Sequence, residues 1–80
     1  MPANLPALAK ELAKALVDSP EDVAVAASGD SEFIRLELEV AEEDLGRLIG
    51  RSGRTARALR TILSAAAEKS GKRCVLDIVE

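Results

Sequence analysis

The stretch RLIGRSGRTARALR at 47–60 places five arginines and two glycines in fourteen residues. Gly50 and Gly53 bracket Arg51 and Ser52, and glycine at both ends of so short a connection admits positive φ and close approach of another backbone. A helix pattern begins at about Arg54, so the loop runs directly into a helix N-terminus, whose free N–H groups and positive dipole end attract anions. First turns usually carry acidic side chains, yet this one carries Arg54 and Arg57. Cations there raise an already positive potential, and an external anion is the natural compensation. At about 100° per residue, with Leu59 at zero, Arg60, Arg57 and Arg54 fall near 100°, 160° and 220°, opposite the side that carries Ala56, Leu63 and Ala66. Such a stripe suits a phosphate backbone.

Other chemistries find little support. Histidine is absent and Cys74 is the only cysteine, which removes the usual zinc spacings and any internal disulfide. Ser52 has no histidine to act as its base and reads as a small loop residue. Cys74, without a nearby base, reads as a small apolar residue at the start of a buried strand. Glu42, Glu43 and Asp44 suit the start of a helix better than a metal, and Glu37 and Glu39 the wet face of a strand. The expectation is a protein that is not an enzyme, with no cofactor and no metal.

The chain has 80 residues, 48% hydrophobic and 31% charged, with a formal net charge of -3. That composition fits one folded domain with a modest core. Residues 1–45 hold three cations against eleven anions, whereas residues 46–73 hold eight cations against Glu68 alone. An acidic total thus conceals a strongly basic third, an asymmetry that points to a polyanionic partner. From Met1 onward there is neither a leader pattern nor a run of apolar residues long enough for a membrane span, so a cytoplasmic protein without membrane contact is expected.

The elements that must position the basic segment follow from periodicity. Leu5, Leu8, Leu12 and Leu16 predict an amphipathic helix over 5–17 whose leucine stripe is core, with Pro6 in its first turn and Pro20 beyond its end. Strands are predicted over 22–28 and 32–40, joined by a hairpin at Ser28–Ser31; Ile34, Leu36, Leu38 and Val40 alternate with charged residues. A helix over 42–49 ends at Gly50, the loop covers 50–53, and a third helix covers 54–70 with Ala56, Leu59, Ile62, Leu63, Ala66 and Ala67 on its apolar side. Gly71 closes it, and CVLDIV predicts a last strand over 74–79. The fold class is therefore α+β, ordered α-β-β-α-α-β, with a three-stranded mixed sheet covered by helices on one face. The crossover makes the second and third strands parallel, and the hairpin makes the first and second antiparallel.

With IGRSG at 49–53 and this element order, the sequence resembles KH domains of type II, and 46–73 followed by DIVE is similar to the small single-KH RNA-binding proteins of bacteria, the KhpA type. ALVDSPEDV at 15–23 is also similar to the stretch before their hairpin. The likeness makes 1–80 a single KH domain. It implies that Gly50, Arg51, Ser52 and Gly53 hold the backbone of about four single-stranded nucleotides. By the same likeness Ile49, Arg54 and Arg57 line or flank a groove for the bases between helices and sheet, and Arg47 and Arg60 add charge. Ser52 departs from the pattern, since a basic or amide side chain is common there. Phe33 is the only aromatic residue, so bases would meet apolar side chains rather than rings, and affinity would be chiefly electrostatic. The resemblance implies a post-transcriptional regulator or RNA chaperone that forms homodimers and pairs with a larger KH protein of the KhpB type. The alternatives are an assembly module, or an accessory of ribosome biogenesis, with weak RNA contact.

Overall fold

The computed structural model describes residues 4–79; the leader reading over Met1–Ala3 and the charge of Glu80 lie outside the described residues. Helix α1 (Leu5–Leu16) is started by Asn4, whose Oδ1 accepts from the N–H of Ala7 at 3.1 Å, and Pro6 sits in its first turn. Val17 is extended and Pro20 opens a short 3-10 turn, Pro20–Asp22, which ends the helix by removing an N–H and fixing φ. Strand β1 (Ala24–Gly29) then pairs antiparallel with β2 (Phe33–Glu39). Asp22 and Val23, predicted as strand, belong to that turn and its exit, where Val23 is buried in the core.

Asp30 closes the hairpin. Its Oδ1 accepts from the N–H groups of Glu32 and Phe33, both at 2.8 Å, and these bonds hold its carboxyl below the usual 3.8. A second 3-10 turn, Glu42–Asp44, leads into α2 (Leu45–Ile49), and a third, Arg51–Gly53, leads into α3 (Arg54–Lys69). Helix α3 stops at a Schellman motif: Gly71 has φ +69°, its N–H donates to Glu68, and that of Lys72 donates to Ala67 at 2.9 Å. Strand β3 (Arg73–Ile78) pairs parallel with β2, so the sheet order is β1-β2-β3 and the predicted topology stands.

Register explains the single layer of helices. Val25 pairs with Leu38 and Ala27 with Leu36, while Leu36 pairs with Leu76 and Leu38 with Ile78, so the apolar side chains share one face. Against that face pack Leu5, Ala9 and Ala13 of α1, Leu48 of α2, and Leu59, Leu63 and Ala67 of α3. Two expectations fail here. The core line of α1 is Leu5, Ala9 and Ala13; Leu8 and Leu12 are half-buried, and Leu16 is 41% exposed. Leu16 lies on the last turn, beyond Ala9 and Ala13, where among the described residues no further element covers it. Ile62, assigned to the apolar side of α3, is 46% exposed because the core line there is Ala56, Leu59, Leu63 and Ala67. Cys74 is half-buried at the start of β3, and burial pushes its thiol up, which leaves it little thiolate character. No helix among the described residues is long and apolar enough to cross a membrane.

Candidate nucleic-acid interface

The loop 50–53 is held in conformations that ordinary residues avoid. Gly50 has φ +77° and ψ 173°, Ser52 φ +56°, and Gly53 φ +73°. A Cβ at Gly50 would meet Thr55, coming within 2.8 Å of its backbone nitrogen and closer still to Oγ1, so glycine is needed there for space as well as for φ. At Gly53 only φ requires it, since nothing lies within 4 Å of a Cβ. Ser52 accepts a left-handed conformation that costs an L-residue about 1 kcal/mol. Gly50 donates to Gly46 at 2.9 Å, which closes the last turn of α2, and Gly53 donates to Gly50 at 3.2 Å, which closes the loop's own turn.

These turns deliver α3 with no side chain capping its start. Arg51, Arg54 and Arg57 are exposed, and none makes an ion pair among the described residues. Arg54 and Arg57 line one shallow depression with Ala58, Thr61 and Ile62. The positive dipole end of a 16-residue helix, unpaired guanidinium groups and a backbone loop therefore converge. That combination suits the phosphates of a flexible strand.

The remaining predicted site residues are placed differently. Ile49 is half-buried at the end of α2, directly before Gly50. Arg47 is paired with Asp18, Nη2 to Oδ2 at 3.1 Å, on an exposed surface, so its charge is partly neutralised. Arg60 is exposed and lines a depression with Arg57, while its Nε donates to the backbone oxygen of Leu76 at 3.2 Å and so ties it to β3.

Asp44 is the residue that sequence reading misjudged. Only 1% exposed, it accepts from the N–H groups of Asp18 and Ser19 at 3.1 and 3.0 Å, and its side chain makes no cap at the start of α2. It ties the element that ends in the glycine loop to the exit of α1, beside the Arg47–Asp18 pair. An acid before Leu45 signals a helix start in sequence; its partners 25 and 26 positions away leave no local signal.

The family model described as KhpA/KhpB, KH domain matches residues 6–78. The chain belongs to this family. Its fold is the α+β KH fold, and the order α-β-β-α-α-β agrees with the type II arrangement expected from sequence. The RNA-binding protein KhpA of Clostridium acetobutylicum is 47% identical over 72 residues, which cover 90% of this chain and 96% of that protein. KhpA of Clostridium perfringens is 49% identical with the same coverage, and that of Leifsonia xyli is 51% identical over 67 residues, 84% of this chain and 86% of that protein. In three dimensions this KH domain is similar to part of Aquifex aeolicus Era, crystallised as a variant with GDP.AlF4-. The TM-score is 0.68 at 21% identity, over 92% of this chain and 29% of that one, a likeness of fold alone.

Proposed function

We propose that this KH domain is a non-enzymatic RNA-binding protein of the cytoplasm that holds a short single-stranded segment through Gly50–Gly53 and the start of α3. One observation carries the reading: an uncapped α3 N-terminus follows a loop whose Gly50, Ser52 and Gly53 all have positive φ, beside unpaired Arg51, Arg54 and Arg57. Backbone N–H groups and guanidinium groups recognise phosphate whatever the sequence, so binding is weak for one domain, broad in sequence and steeply salt-dependent. Ile49 supplies an apolar contact for a base beside the loop. Arg47 and Arg60, each engaged within the protein, contribute long-range potential rather than contact. A role in post-transcriptional regulation or as an RNA chaperone follows from broad, low-affinity recognition of unpaired strands.

The test is fluorescence anisotropy with a short labelled single-stranded RNA, comparing the wild type with an Arg51→Asp, Ser52→Asp double variant. Two carboxylates at the phosphate contact abolish binding while far-UV circular dichroism is unchanged. Retained affinity in a folded double variant overturns the reading.

Assembly is the second part of the proposal, because Leu16 and Ile62 rim an apolar depression of about 380 Å³ between α1 and α3, floored by Leu12 and Leu59. A second copy of the chain covers it in the homodimer, and a larger KH protein of the KhpB type would cover it in a heteromer. Two linked RNA-binding surfaces raise avidity without new contacts.

A further inference from the structure

The two edges of the sheet are treated differently. The edge of β3 lies under α3, and Arg60 occupies the outward carbonyl of Leu76. Helix α1 packs against the inner face of β1, but among the described residues nothing bonds the outward backbone groups of its edge, and its sequence AVAASG contains no charge and no proline, the devices that usually blunt an open edge. Hydrogen bonding shows which groups face outward. Asp30 donates to Phe33 across the hairpin, so by the alternation of an antiparallel ladder Ser28, Ala26 and Ala24 bond to β2. The N–H and C=O groups of Val25, Ala27 and Gly29 therefore point away from the sheet. Ala27 and Gly29 are exposed and Val25 half-buried.

Charge selects what can pair there. Exposed Glu21 and Asp22 precede the strand, exposed Asp30 and Glu32 follow it, and Glu39 and Glu37 stand opposite Ala24 and Ala26 on the helix-free face. Arg35, opposite Ser28, is already paired with Asp77 at 3.1 Å. A second copy docked antiparallel would set Glu21 and Asp22 of one chain against Asp30 and Glu32 of the other, so the edge repels itself. A basic strand meets the opposite situation. Strands lie about 4.8 Å apart, so a lysine or arginine on an added strand can reach across the small side chains of Ala24 and Ala26 to Glu39 and Glu37.

We infer that β1 is a docking edge for an extended segment of a partner protein with lysine or arginine at alternate positions, which adds to the sheet as a fourth strand. Its backbone bonds Val25, Ala27 and Gly29, its basic side chains lie on the acidic face, and its small alternate residues face the α1 side. This surface is separate from the glycine loop and stands whether or not the loop binds RNA.

The probe is a capped heptapeptide of alternating lysine and valine, with a glutamate-for-lysine peptide as control, titrated into the full chain and followed by amide hydrogen exchange. Binding slows exchange at Val25, Ala27 and Gly29, and the control peptide does not bind. Glu37→Lys with Glu39→Lys weakens the lysine peptide about tenfold, as expected for lost cross-strand charge pairs. Ala27→Pro removes an outward N–H without touching the β2 ladder and abolishes binding. Ala27→Pro, which changes no charge, keeps wild-type RNA affinity or lack of it. The inference is overturned if the lysine peptide fails to bind, if the control binds equally, if protection maps elsewhere, or if the charge-reversed chain binds as the wild type does. Self-association of the wild type through β1 also overturns it, since the occupant would then be a second copy.

Discussion

Gly50 and Gly53 look equivalent in sequence, and the space around them separates their roles. At Gly50 a methyl group collides with Thr55, including its backbone nitrogen, so Gly50→Ala must shift the start of α3. Gly53→Ala meets only the conformational cost of positive φ, about 1 kcal/mol. Urea unfolding should therefore rank Gly50→Ala well below Gly53→Ala in stability, and equal losses would show that the Thr55 contact relaxes freely. Asp30 offers a test by pH. Its folded-state pKa lies below the unfolded value because the N–H groups of Glu32 and Phe33 stabilise the carboxylate. The stability it contributes is present above pH 3.8 and is lost as the pH falls through the lower folded value. In acid titrations Asp30→Ala should be less stable than the wild type at neutral pH and converge with it at the acid end; a constant gap would exclude the charge as the cause.

At the level of elements, α3 carries arginines with unlike duties, and salt dependence separates them. Each phosphate contact to a single strand adds about 0.7 to the slope of log affinity against log salt. Arg54→Gln and Arg57→Gln should each flatten that slope by about this amount, whereas Arg60→Gln should leave it nearly unchanged and loosen the packing of α3 on β3 instead. A fall in slope for Arg60→Gln equal to the others would place its guanidinium on RNA despite the bond to Leu76. The sequence made most of this architecture legible: alternation set the buried face of β2, the arginine phase set the exposed face of α3, and glycine marked both helix ends. What stayed hidden depends on contacts between distant segments. Leucine spacing could not reveal that Ala9 and Ala13, being small, sit deepest in α1 while Leu16 stays exposed, nor could the acidic run at 42–44 reveal that Asp44 faces the exit of α1. Arg60 likewise fits the solvent-facing stripe by angle and is exposed, and only the position of the β3 edge shows that its Nε has a partner in Leu76.

Across the whole molecule, one apolar depression borders the basic surface. Leu16 and Ile62 rim it, and Arg54 belongs both to its wall and to the depression shared with Arg57. A small domain with a core of leucine and alanine has limited stability of its own, and covering two exposed aliphatic side chains per copy supplies more at about 25 cal/mol per Å² of apolar surface. The proposed dimer would also set two Arg54 side chains near one interface, coupling assembly to RNA contact. Leu16→Glu, at a residue outside the depression of Arg54 and Arg57, places a carboxylate in the covered surface and should yield a monomer in sedimentation velocity at concentrations where the wild type is a dimer. Because the glycine loop is untouched, the monomer should keep its affinity for an RNA too short to span two sites and lose affinity for a longer strand, where bivalency operates. Equal loss on both RNAs would mean that the substitution damages the loop itself, and a monomeric wild type would remove this surface as the site of assembly.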